Sequence, residues 1–138
     1  MELAAQLHAF LKGKPCEVFP APVGVRLSDK EDTAFEPDIV VVCDKTKLDE
    51  RICNGAPDLV IEILSPSTAK MDRGKKYRKY QQAGVREYWI VDPELSLLQA
   101  GVLYEGKYIT TIYESDDIAP VHVLDGCEIN LAEVFSEE

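Results

Sequence analysis

The stretch Asp58-Leu-Val-Ile-Glu-Ile-Leu64, preceded by Pro57, decides the fold. It is dense in β-branched residues and does not alternate apolar with polar across its middle. That is the pattern of a strand covered on both faces. Alternate residues of a strand share a face. Asp58, Val60, Glu62 and Leu64 therefore point one way, and Leu59, Ile61 and Ile63 the other. Glu62 stands inside the most apolar run of the chain, a place where a carboxylate is rare unless it is paired or bound to a metal.

A second run of the same kind lies upstream. Asp38-Ile-Val-Val-Val-Cys43 follows Pro37, just as the first run follows Pro57. If the two strands pair, the carboxylates of Asp38 and Glu62 meet at one end of a sheet. Two carboxylates and some waters make a hard oxygen site suited to Mg²⁺ or Mn²⁺. Such an ion polarises a phosphodiester and activates water for in-line attack. Each acid also has a plainer reading: a turn acid after proline for Asp38, and a buried ion pair with a helix lysine for Glu62.

Working outward, Glu2 to Leu11 has its apolar residues at helical spacing, and Gly13 and Pro15 end the helix. Cys16 to Leu27 reads as an edge or bent strand, interrupted by Pro20 and Pro22. Asp44 to Ala56 is a polar connection between the twin strands. After Ser65-Pro66-Ser67-Thr68, a helix is predicted from about Asp72 to Ala83, closed by Gly84. Arg86 to Val91 is a short strand stopped by Asp92-Pro93. Leu97 to Tyr104 and Lys107 to Tyr113 form a hairpin around Glu105-Gly106. Val121 to Leu124 is predicted as a last strand, and Asn130 caps a terminal helix, Leu131 to Phe135. Helices interleaved with strands in this order predict an α/β fold with a mixed central sheet and a C-terminal β-hairpin.

The predicted second helix concentrates positive charge. Lys70, Arg73, Lys75, Lys76, Arg78 and Lys79 face only Asp72, a net of about +5 that leaves about −15 on the rest of a chain whose total is −10. The bland reading is a solvated helix face. The functional one is contact with phosphates of DNA through Lys70, Arg73, Lys75 and Lys79. Lys76 lies four residues after Asp72 and four before Tyr80, so the three share a face. Lys76 is expected to reach over the sheet end, where a cation offsets charge developing on a phosphate. The alternative is a plain Asp72–Lys76 pair along the helix.

The 138 residues suit one domain, 46% hydrophobic and 29% charged, and are enough for a proper core. No stretch approaches the roughly 18 apolar residues of a membrane helix, and Met1 to Lys14 lacks the build of a secretory signal. The expected location is cytoplasmic, with no membrane partner. Cys16, Cys43, Cys53 and Cys127 form no C-x-x-C pair, and reduced thiols are expected, with Cys43 simply in the core. His8 and His122 have no serine or cysteine at motif spacing, which leaves a hydrolase acting on other substrates without support.

Pro37-Asp38-Ile-Val-Val-Val, Gly55-Ala-Pro-Asp-Leu-Val-Ile-Glu62-Ile-Leu-Ser-Pro-Ser-Thr68, Asp72-Arg-Gly-Lys-Lys76 and Gly84-Val-Arg-Glu-Tyr-Trp-Ile-Val-Asp-Pro93 together resemble the Uma-two family of restriction endonucleases. The resemblance runs from about Leu7 to Phe135. It implies the restriction-endonuclease-like fold of the PD-(D/E)xK nucleases over 1–138, with more chain before the first helix in most relatives. It places the family aspartate on Asp38 and the acid of the (D/E)xK element on Glu62. Leu64 stands where that element has its lysine, and the resemblance puts the lysine instead at Lys76, on the following helix. Asp58 and Tyr80 match as secondary site residues.

Two functions are therefore expected to compete. One is a metal-dependent DNA endonuclease using Asp38, Glu62 and Lys76. The other is a catalytically inactive nuclease-fold module that binds DNA or another protein, which Leu64 and the short N-terminus favour. A homodimer is expected, since two cuts on a duplex need two sites and two-fold symmetry is the commonest arrangement.

Overall fold

The computed structural model describes residues 2–27, 35–49, 52–65 and 73–136. Helix α1 spans Glu2–Leu11 and buries Leu3, Leu7 and Leu11, one stripe at helical spacing. Strands β1 (Glu17–Pro20) and β2 (Gly24–Arg26) follow, separated by the Pro20–Pro22 segment. The twin runs become β3 (Ile39–Val42) and β6 (Leu59–Ile63). Between them, the connection read as merely polar holds a 3₁₀ turn, Lys45–Lys47, and two very short strands, β4 (Leu48–Asp49) and β5 (Ile52–Asn54). Helix α2 (Arg73–Ala83) leads to β7 (Glu87–Asp92), then to the hairpin β8 (Leu97–Tyr104) and β9 (Lys107–Glu114). Short strands β10 (Ile118–Pro120) and β11 (Glu128–Asn130) precede α3 (Leu131–Phe135), which Asn130 caps by accepting the Ala132 N–H.

The central sheet has six strands in the order β1-β3-β6-β7-β8-β9. Only β6 and β7 run parallel, with α2 as their crossover, and the other pairs are antiparallel. This is the mixed sheet the sequence predicts. One face packs on α1, α3 and the C-terminal segment through Leu3, Leu7, Ile39, Ile61, Trp89 and Ile129. The other packs on α2 and on the small sheet β2-β5-β4 through Val40, Val60, Tyr80, Tyr88, Val25 and Cys53. Both faces of β3 and β6 are covered, which is why their sequences do not alternate. Burying each of these branched side chains contributes on the order of 1.5–3 kcal/mol.

Two expectations need correction. Val121 to Leu124 is a turn, not a strand: Leu124 N–H bonds back to Val121 O at 3.1 Å, and both side chains are buried in the core cluster. The four cysteines are not all thiols. Cys16 and Cys43 are joined in a disulfide, because β1 and β3 pair antiparallel with Glu17 opposite Val42, and the next step of that register brings the two cysteines face to face. Cys53 and Cys127 are free and buried, and burial pushes the Cys127 thiol up to about 11.

Candidate metal centre

Strands β3 and β6 pair with Ile39 opposite Ile61 and Val40 opposite Val60. One further step sets Asp38 opposite Glu62. Both side chains belong to the face covered by α2, the face of Val40 and Val60. The Asp38 carboxylate folds over the end of β6, where Oδ2 accepts the Ile63 N–H at 2.6 Å. That bond fixes the carboxylate beside Glu62 and leaves Oδ1 outside this bond. Among the described residues, Asp38 has no ion-pair partner.

Glu62 is buried, and two side chains of α2 reach it. Lys76 Nζ lies 3.4 Å from Oε1, and the Tyr80 hydroxyl donates to Oε2 at 3.2 Å. The two are four residues apart and so project from one face of the helix. The end of α2 holds that face in place. Gly84, at a φ of +85°, lets the chain turn back, its N–H bonding Gln81 O at 3.2 Å while Val85 N–H bonds Tyr80 O at 3.1 Å. This is the paired closure that glycine permits after a helix. Val85 then packs in the same cluster as Tyr80.

The electrostatics follow from this enclosure. Burial pushes the Glu62 carboxyl above its ordinary range and the negative charge of Asp38 adds to that, while Lys76 and the Tyr80 hydrogen bond act against it. Burial and the Glu62 charge push the Tyr80 hydroxyl far up, so it stays a neutral donor. Two like charges beside each other, one of them desolvated, form a site whose strain a cation relieves. The donor set is of the kind a hard divalent ion takes: Asp38 and Glu62 would supply carboxylate oxygens, and waters or substrate oxygens would complete a shell around Mg²⁺ or Mn²⁺. Among the described residues, no group of three or more His, Cys, Asp or Glu is placed to hold a metal.

Asp58 stands apart. It opens β6, four residues from Glu62, or roughly 13 Å along an extended strand. Its Oδ2 accepts the Cys43 N–H at 2.7 Å and its Oδ1 pairs with Arg86 Nη2 at 2.8 Å. In the basic segment, Lys75 is exposed on α2, and Lys79 is half-buried with interactions of its own. Lys70, Asp72 and the Arg73 side chain lie outside the described residues, and so does the alternative pairing of Lys76 with Asp72.

Sequence reasoning passes over Glu87, which carries the same signal as Glu62, an acid in an apolar strand. Glu87 is fully buried on the opposite face of the sheet. Oε2 accepts the Trp89 indole N–H at 2.8 Å and lies 3.7 Å from His122 Nδ1, while Oε1 accepts the Val123 N–H at 3.0 Å. This carboxylate fastens the C-terminal turn to the sheet and is saturated by donors, so it is a structural acid.

A family profile named Uma2, with the description "Putative restriction endonuclease", matches residues 1–132. An uncharacterized protein of Synechocystis sp. is 34% identical over 70 residues, which are 51% of this chain and 36% of that protein, so the match spans about a third of the relative's length. Among solved structures, a DUF820 protein of Anabaena variabilis described as "a putative nuclease" superposes with a TM-score of 0.78, covering 98% of this chain and 76% of that one at 22% identity. At that identity the likeness establishes the fold. No described helix is long and apolar enough to cross a membrane.

Proposed function

Because the chain belongs to the Uma2 restriction-endonuclease family, we propose that it is a divalent-metal-dependent endonuclease acting on DNA, with Asp38 and Glu62 as the metal ligands and Lys76 as the cation at the attacked phosphate. The observation that carries this reading is the position of Glu62. It is a buried carboxylate with Asp38 beside it on the neighbouring strand and Lys76 Nζ 3.4 Å away. A bound ion would polarise the phosphodiester and lower the pKa of a water for in-line attack. The protein's own groups do the rest. Asp38 is held rigid by the Ile63 N–H. Tyr80 orients Glu62 through its hydroxyl. Lys76, 3.4 Å from Glu62, would serve as an electrostatic clamp on the phosphate. Lys75 and Lys79, with Lys70 and Arg73, would meet flanking phosphates. A DNA substrate would put the protein in the cytoplasm, where a disulfide such as Cys16–Cys43 is unusual.

Leu64 at the strand position favours the second reading, a nuclease-fold module that binds DNA or a protein without cutting. Plasmid nicking separates the two. The nuclease reading expects Mg²⁺- or Mn²⁺-dependent nicking that Glu62→Gln and Lys76→Met each abolish, with metal binding retained in Lys76→Met. Wild-type protein that never nicks DNA with either ion supports the non-catalytic module. Nicking that Lys76→Met leaves unchanged removes Lys76 from the mechanism.

A further inference from the structure

Strand β9 is an edge of the central sheet, eight residues long, with β8 on one side and, among the described residues, no strand on the other. An edge strand presents unpaired N–H and C=O groups, and proteins normally blunt it. The register shows which groups point outward. Tyr104 faces Lys107 across the two-residue turn Glu105-Gly106, both of whose residues have positive φ. In such a turn the flanking pair exchanges hydrogen bonds. Lys107, Ile109, Thr111 and Tyr113 therefore bond to β8, and the backbone of Tyr108, Thr110, Ile112 and Glu114 faces outward. Two side chains confirm the assignment: Gln81 Oε1 accepts the Tyr108 N–H at 2.8 Å, and Asp117 Oδ2 accepts the Glu114 N–H at 2.7 Å.

Among the described residues, the edge is thus capped at Tyr108 and at Glu114 and open between them. The open window is Thr110 to Ile112, and its centre is Thr111. The caps are equidistant from that centre. Ile109 beside the window and Ile112 within it are each 60% exposed, on opposite faces of the sheet. Two copies of an antiparallel edge related by a two-fold axis must pair about a single residue, because residues directly opposite one another share a face. Thr111 meets that requirement.

We infer that the protein forms a two-fold dimer by antiparallel pairing of β9 with β9 of a second copy, centred on Thr111. Thr110 and Ile112 of one copy exchange hydrogen bonds with Ile112 and Thr110 of the other. Ile109 packs against Tyr113 across the junction, and Ile112 against Thr110. Thr111 faces its own counterpart, so a charge placed there meets itself. The contact is isologous and closes at two copies. The window is too short, and too firmly capped, to template an open stack of strands.

The test uses this self-facing position and reads the oligomeric state by sedimentation equilibrium. Wild type should dimerise reversibly. Thr111→Lys and Thr111→Glu should each weaken the dimer by roughly fivefold or more, because like charges then lie directly opposite. An equimolar mixture of the two variants should recover the dimer. Thr110→Pro removes an outward N–H without touching the β8 ladder and should also give monomer. Wild type that stays monomeric overturns the inference, as does a dimer that neither Thr111 variant weakens. Failure of the mixture to recover places the contact elsewhere and equally overturns it.

Discussion

Asp38 and Asp58 make the same bond at opposite ends of one strand pair. Asp38 opens β3 and accepts the N–H of Ile63 at the end of β6, and Asp58 opens β6 and accepts the N–H of Cys43 just past β3, at 2.6 and 2.7 Å. The twin Pro-Asp signals thus have one structural meaning: each carboxylate ties off the end of the neighbouring strand. What separates them is charge. Asp58 is neutralised by Arg86 at 2.8 Å, whereas Asp38 stands beside the buried acid Glu62. Asp58→Ala should therefore cost about 1–3 kcal/mol of stability, the penalty of an unsatisfied backbone donor, and leave metal affinity intact. Urea unfolding and calorimetry on the one variant check both halves. A loss of metal affinity equal to that of Asp38→Ala would return Asp58 to the site.

Tyr80→Phe isolates the hydroxyl that donates to Glu62 at 3.2 Å. The ring packs as before, so the stability loss should be modest, about 1 kcal/mol. Because that hydrogen bond lowers the Glu62 pKa against the pull of burial, its removal moves the carboxyl further up. Metal binding should then release more protons at mildly acidic pH. Calorimetry in buffers of different ionisation enthalpy counts those protons, and an unchanged count would show that Tyr80 does not tune Glu62.

Glu87 gives a pH dependence of defined sign. Burial pushes its carboxyl above the ordinary 4.5, against the opposing effect of the hydrogen bonds from Trp89 and Val123 and of His122. A folded pKa above the unfolded one means that the group's stabilisation is complete below about pH 4 and is lost as pH rises through the folded value. Glu87→Gln has no carboxyl proton to lose. The stability of wild type relative to this variant should therefore fall as pH is raised from about 4 toward neutrality. A relative stability that rises over that range would mean the ionised carboxylate is the preferred form.

DNA affinity, if the helix meets phosphates, should fall with salt because counterions are released on binding. Lys75 is exposed on α2, one residue from Lys76. Lys75→Ala should reduce the magnitude of the log–log salt slope by about 0.9, one phosphate contact. An absence of binding at low salt would turn the basic segment back into a solvated helix face.

Much of this was legible because it depends on local pattern. The unalternating valines and isoleucines announced β3 and β6 as buried strands, and helical spacing marked α1. The Asn130 cap and the Glu105-Gly106 turn are signals complete within a few residues. The meeting of Asp38 with Glu62 was expected if the two strands paired, and the antiparallel register is what brings it about. What escaped depends on contacts distant in sequence. Strands β4 and β5 are two and three residues long, too short to carry a period. The Cys16–Cys43 bond depends on the β1–β3 register across 27 residues. Arg86 is 28 residues from Asp58, and nothing in the local sequence of either announces the pair. Glu87 did carry a local signal, and its donors, Trp89 and the Val123 backbone, distinguish it from Glu62 only in three dimensions.

If Asp38 and Glu62 hold one divalent ion between them, isothermal titration of the protein with Mn²⁺ should find one site per chain. That site should be lost in Asp38→Asn and lost again in Glu62→Gln, while Asp58→Asn should bind like wild type. Because the two ligands act on one ion, the double variant Asp38→Asn/Glu62→Gln should be no worse than either single one. A wild-type protein that takes up no ion, or a site that survives Glu62→Gln with its affinity unchanged, would contradict the shared-ion account.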